Sequence, residues 1–95
     1  MEINHSPQLK ADDDLRAICR EIVAQRRSMT EWDRVESDDM FQRGAFVGGY
    51  EGSEQAFTFS YYDPAKKEWW LSFTLTIVEK IARGEEYWLD LYEAS

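Results

Sequence analysis

Two runs of alternating aromatic and small polar residues, joined by one turn, constrain this chain more than any other stretch. Phe57, Phe59 and Tyr61 alternate with Thr58, Ser60 and Tyr62; Trp69, Leu71 and Phe73 alternate with Trp70, Ser72 and Thr74. Successive side chains on a strand point to opposite faces, so a period of two in such residues predicts strands. Between the runs stands Asp63-Pro64-Ala65-Lys66. Aspartate opening a type I turn bonds the backbone ahead of it, and the following proline presets φ. A β-hairpin with its loop over 63–67 is therefore predicted. A slip of one residue would send every apolar side chain to the wrong face, so the register is fixed by keeping them together. Phe59 should pair with Leu71, Tyr61 with Trp69 and Phe57 with Phe73. On the opposite face Ser60 should meet Trp70, Thr58 Ser72, and Ala56 Thr74. The first face is an apolar block that another part of the chain has to cover.

The N-terminal third is the expected cover. Ser6-Pro7 has the chemistry of a helix start, serine as N-cap and proline at the first helical position, where its missing N–H costs nothing. A helix from there to about Arg27 is predicted, with residues 1–5 frayed. Leu15, Ile18, Ile22 and Met29 follow helical spacing, and Cys19 and Val23 widen the stripe. Asp12, Asp13 and Asp14 early and Arg26 and Arg27 late suit the helix dipole, and Asp12 stands four residues before Arg16, the favoured order for an ion pair. Cys19 reads as an inert core residue. A reactive thiol needs exposure and a basic neighbourhood, and this one lies mid-helix beside the apolar stripe.

The remaining chain supplies further strands and one or two short helices. Ser28-Met-Thr-Glu31 has capping-box spacing, which predicts a short helix from about Thr30 to Glu36 with Trp32 and Val35 turned to the core. Residues 36–39 read as a solvated acidic loop; Asp38 and Asp39 lack the spacing and glycine of a calcium loop. Phe41 to Tyr50 is expected to be one strand interrupted by glycines, with Gly44, Phe46, Gly48 and Tyr50 on one face. A loop over 51–54 would pair Tyr50 with Gln55, Phe46 with Phe59 and Gly48 with Phe57. The glycines then leave room for the helix and the large rings. The other use of Gly48-Gly49, a phosphate-cradling loop, lacks the Lys and Ser/Thr that should follow it. Strand three should end near Leu75. Thr76-Ile-Val-Glu79 again has capping-box spacing, and Gly84 stands where a helix C′ glycine would, so a helix over 77–83 is favoured over a strand continuing to Lys80. Residues 86–92 form the last strand, Leu89 and Leu91 inward, Trp88, Asp90 and Tyr92 outward. The expected fold is a single α+β domain: a long N-terminal helix packed on one face of a four-stranded, mainly antiparallel sheet, with one or two short helices.

Composition narrows the classes of function. Hydrophobic residues make up 43% and charged residues 32% of the 95 residues, which suits a globular chain with its own core. No run of about 18 apolar residues exists to span a membrane. The first residues lack the basic and apolar regions of a signal peptide, and one cysteine, Cys19, allows no internal disulfide, so a cytoplasmic setting is expected. Eleven basic against nineteen acidic residues give a net charge of −8. Such a chain repels nucleic acid and anionic membranes; its charge serves solubility or a basic partner.

Catalysis is not legible. The single histidine, His5, lies in a segment expected to be loose, and no Ser-His-Asp set assembles around it. Zinc would need Cys and His ligands that are not there. The adjacent carboxylates, Glu85-Glu86 and Asp38-Asp39, are pairs that an acidic chain offers by chance. No catalytic residue, cofactor or metal is expected. The positive signal is the outward strand face: Thr58, Ser60, Tyr62, Trp70, Ser72, Thr74, Trp88, Asp90 and Tyr92. Rigid amphipathic rings among small hydroxyls are the composition of binding surfaces. Tyr62, Trp70, Trp88, Asp90 and Tyr92 are the candidate binding residues, unless Trp70 and Trp88 cover each other or lie under the 28–39 segment. The function expected is a small acidic protein-binding module, comparable in size and charge to inhibitors, immunity proteins and antitoxins that mask a basic partner. The alternatives are a structural homodimer through the sheet face or edge, and a small-ligand binder.

Overall fold

A computed structural model describes residues 7–34 and 40–94. In chain order its elements are β1 (Gln8–Lys10), α1 (Asp13–Ala24), α2 (Met29–Arg34), β2 (Met40–Arg43), β3 (Phe46–Glu51), β4 (Ala56–Tyr62), β5 (Glu68–Phe73), α3 (Leu75–Ala82), β6 (Trp88–Asp90) and β7 (Tyr92–Glu93). The fold is α+β with antiparallel sheets. One sheet has five strands in the order β2-β3-β4-β5-β7; the other pairs β1 with β6.

The β4–β5 hairpin has the register its faces demand. Phe57 pairs with Phe73, Phe59 with Leu71 and Tyr61 with Trp69, while Thr58 meets Ser72 and Ser60 meets Trp70 on the other face. β5 stops at Phe73, so Ala56 pairs only with Glu51, and Thr74 becomes the N-cap of α3. The turn is held by Asp63. Its carboxylate accepts the Lys67 backbone N–H at 2.9 Å and the Trp69 indole N–H at 3.0 Å, and its carbonyl accepts the Lys66 N–H at 2.8 Å. The bonds to the carboxylate, from the Trp69 indole first and then the Lys67 N–H, hold the Asp63 carboxyl below the usual aspartate range.

The inner sheet face and the helices share one core. Leu15, Ile18, Cys19 and Ile22 of α1, Val78 and Ile81 of α3, and Trp32 of α2 pack with Phe46, Phe57, Phe59, Leu71 and Phe73. Phe59 stacks on Phe73 with ring centroids 5.6 Å apart, and Trp32 meets Phe57 edge-on at 5.1 Å. Burial pushes the Cys19 thiol up to about 12, as an inert core cysteine requires. Tyr50 donates its hydroxyl to Asp33 and Gln55 donates to the same carboxylate, which ties α2 to the β3–β4 turn.

Several expectations are corrected. The long N-terminal helix is a twelve-residue α1 that starts at Asp13. Asp12 caps it, accepting the Leu15 N–H at 2.9 Å, because residues 8–10 are already committed to the ladder with β6. The proposed cap Ser6 lies outside the described residues, and Pro7 gives its carbonyl to the Leu91 N–H at 2.8 Å. Arg26 adopts a left-handed φ of 53°, so the helix stops before the two arginines, and Met29 begins α2. α2 carries the capping box reciprocally, the Glu31 N–H to Ser28 Oγ at 3.2 Å and the Ser28 N–H to the Glu31 carboxylate at 3.4 Å. It ends at Arg34, and Val35 with the 36–39 loop lies outside the described residues.

The single strand 41–50 is two, turned at Gly44, whose φ of +57° a side chain would strain. The β3–β4 register differs by two from the one expected: Tyr50 faces Phe57, Gly48 faces Phe59 and Phe46 faces Tyr61. A shift of two keeps every side chain on its predicted face. Gly48 permits the close approach, since a Cβ there would lie 2.1 Å from the Thr58 carbonyl and 2.6 Å from Phe59 Cα. The helix expected over 77–83 begins at Leu75, and its C-terminus closes on Gly84 and Glu85, whose N–H groups bond Ile81 O and Lys80 O. The last strand is also two. β6 joins β1, β7 joins β5, and the expected four-stranded sheet becomes five strands plus two.

Candidate functional site: the outer sheet face

Alternation leaves a second face to the five-stranded sheet. One row across it runs Gln42, Val47, Ser60, Trp70 and Tyr92, and the next runs Met40, Gly49, Thr58 and Ser72. The inner rings pack against one another: every ring-to-ring contact among the described residues involves Trp32, Phe46, Tyr50, Phe57, Phe59, Tyr61 or Phe73. The outer rings stay open to solvent. Tyr62 and Trp70 are each 45% exposed, Trp88 51%, Tyr92 56%, and Met40 63%. Trp70 and Tyr92 are cross-strand partners and form a ridge.

Two hollows flank this ridge. The larger, about 560 Å³, has Val47, Gly49, Thr58 and Ser60 beneath it, Met40 and Trp70 at its sides, and Glu51 and Glu54 at one end. The smaller, about 250 Å³, lies between the end of β5 and β6 and is lined by Ser72, Thr74, Trp88, Asp90 and Tyr92 among others.

Carboxylates orient the rings. Glu68, on the outer face, accepts the Ser60 hydroxyl at 2.8 Å and the Trp70 indole N–H at 3.1 Å. Glu86 accepts the Trp88 indole N–H at 3.2 Å, and Asp90 accepts an amide N–H of Gln8 at 2.9 Å. The charge is one-sided. None of the eleven Lys and Arg residues occupies an outward position on a strand of the five-stranded sheet, whereas Glu51 and Glu68 do. The cations lie elsewhere. Arg16 and Arg20 reach the C-terminal carbonyls of α3, Arg43 pairs with Asp14, and Lys67 bonds Glu93 over the Trp69 ring.

The five predicted residues fall in two groups. Tyr62, Trp70 and Tyr92 lie on the sheet face itself; Trp88 and Asp90 lie on β6, in the separate ladder, and meet Tyr92 at the smaller hollow. Trp70 and Trp88 make no ring contact with each other among the described residues, and α2 turns Trp32 to the inner face. Met40, Glu51, Glu54 and Glu68 are further members of the face. The loop expected over 51–54 hid Glu51 and Glu54, whereas β3 runs on to Glu51 and its alternation turns that residue outward; Met40 required the strand break at Gly44. Among the described residues no three His, Cys, Asp or Glu side chains gather to hold a metal ion, and no helix is long and apolar enough to cross a membrane. No protein-family model, curated protein or solved structure matches the chain.

Proposed function

We propose that this protein is a non-enzymatic binding module whose outer sheet face docks a basic protein and masks it, in the manner of a small inhibitor or immunity protein. The observation that carries this reading is the segregation of charge and aromatic surface: exposed Trp70, Tyr62, Tyr92 and Met40 share a face with carboxylates and with no outward lysine or arginine. Solvated rings favour burial under a partner, with roughly 150–250 Å² removed from water per aromatic side chain. Trp and Tyr are also the residue types that most often dominate binding energy. The carboxylates select the sign of the partner and speed its approach. A homodimer through this face is disfavoured, because it would press two faces of like charge together. The hollow of about 560 Å³ has the size of a small-molecule site and supports a small ligand as the second reading.

Capture from an extract of the native host tests the proposal, with wild type, Trp70→Ala and the double variant Glu51→Lys/Glu54→Lys immobilised in parallel. The expected result is a protein of high isoelectric point, retained by wild type alone and released by moderate salt. Retention by all three baits, or an acidic protein as the captured species, rejects it. A heat-stable, dialysable factor that shifts the melting temperature of wild type alone would support the small ligand instead.

A further inference from the structure

The smaller hollow on the outer face has a chemistry of its own. Trp88 and Tyr92, both half exposed, stand on either side of Asp90 in sequence and line the hollow with it, and Ser72 and Thr74 contribute hydroxyls from the end of β5. We infer that this cleft binds the guanidinium of an arginine side chain on the protein partner. This rests on the proposed basic partner and names the contact by which that partner is read.

Aromatic faces attract cations electrostatically, and tryptophan does so best. A guanidinium also stacks flat on a ring while its fork of N–H donors meets carboxylate and hydroxyl oxygens, which an ammonium cannot do in the same geometry. The cleft offers each element: the exposed Trp88 and Tyr92 rings, the Asp90 carboxylate, and the Ser72 and Thr74 hydroxyls. Its volume of about 250 Å³ suits one long side chain; drug-sized ligands occupy roughly 300–1,000 Å³.

The elements are held in place beforehand. Gln8 fixes Asp90 by its 2.9 Å bond, and Glu86 holds the Trp88 indole. Lys10 pairs with Trp88 across the ladder but directs its ammonium to Glu86 at 3.8 Å. The chain uses the same chemistry internally, with the Lys67 ammonium 4.3 Å from the Trp69 ring centre and the Arg27 guanidinium 4.9 Å from that of Trp32.

Titration of the labelled protein with N-acetylarginine amide, and with the uncharged citrulline analogue of the same shape, tests the inference by nitrogen–proton correlation NMR. The Trp88 indole N–H and the Asp90 amide should shift saturably with the arginine probe and stay still with citrulline. Asp90→Asn and Trp88→Ala should each weaken binding by about tenfold or more, and Glu21→Gln, at an exposed position of α1 on the other side of the sheet, should leave it unchanged. Equal shifts with citrulline, shifts that map away from β6, or undiminished binding to Asp90→Asn would overturn it. An N-acetyllysine amide that binds as well would overturn the preference for a guanidinium. The same variants separate this inference from the proposed function. A captured basic partner that is lost with Trp70→Ala but kept by both cleft variants sinks the arginine cleft alone. Arginine bound in the cleft, with no basic protein captured by wild type, sinks the protein-masking role alone.

Discussion

Phe59 is 1% exposed and stacks on Phe73 at the centre of the inner face, so truncating it leaves a hole that its neighbours cannot close. Phe59→Ala should destabilise the fold by about 3–5 kcal/mol, read as a fall in the urea midpoint at unchanged slope. A loss below about 1 kcal/mol would place the core elsewhere. Cys19 makes a prediction of opposite character. Its thiol is raised from 9.0 to about 12 by burial, so the folded chain keeps a proton that the unfolded chain releases. The stability this provides is complete below pH 9 and is lost as pH climbs towards 12. Denaturation at pH 8 and pH 10.5 should therefore show a decline in wild type that is shallower in Cys19→Ala, and a thiol reagent at about pH 8 should label Cys19 only after unfolding. Tyr50, held up to about 12 by burial and by its bond to Asp33, adds in the same direction and remains in both chains.

Among the elements, the short helix α3 depends on a neighbour. Arg16 of α1 donates from Nε to the Ile81 carbonyl at 3.0 Å and from its terminal nitrogen to the Glu85 carbonyl at 3.2 Å, and Arg20 reaches the Ala82 carbonyl at 3.3 Å. A positive side chain from one helix thus satisfies the acceptors that another helix leaves at its negative end. Arg16→Met keeps the stem and removes the donors; it should cost about 1.5–3 kcal/mol in urea denaturation. Equal stability of Arg16→Met and wild type would show that water replaces the bonds. This contact joins residues 65 apart and has no signature in the sequence. The β4–β5 register, by contrast, was legible because two aromatic runs and a proline turn admit one solution. The Ser28–Glu31 box and the Gly84 terminus were legible because each is local chemistry. The start of α1 was misplaced because Ser6-Pro7 and Asp12 are both plausible beginnings. Only the pairing of Gln8–Lys10 with β6, a long-range event, decides between them. Of the candidate site, Trp70 and Tyr62 followed from alternation alone. The placement of Trp88 and Asp90 across a different ladder from Tyr92 did not, since nothing local marks Leu91 as the point where one strand becomes two.

At the scale of the whole molecule, the core and the proposed binding surface lie on opposite sides of one sheet, so their energetics should separate. Trp70→Ala should leave the melting temperature within a few degrees of wild type and weaken partner binding by about 2 kcal/mol or more. A large loss of stability with binding unchanged would instead make Trp70 part of the core. The β1–β6 ladder separates in another way. Gln8 and Asp90, bonded to each other, stand 82 residues apart, whereas the β4–β5 hairpin is closed by a local turn. Hairpins can zip from their turns, but this ladder must wait for the rest of the chain to bring its strands together, against the entropy of a long loop. It is also only three pairs long. Its amides should therefore exchange with solvent faster than those of β4, through openings that leave the five-stranded sheet intact. Trp88 and Asp90 ride on that ladder, so each opening dismantles the arginine cleft. Occupancy and closure are then thermodynamically linked: an arginine ligand should slow hydrogen exchange in β1 and β6, and the slowing should reach the Leu9 amide, on the strand that lines no part of the cleft.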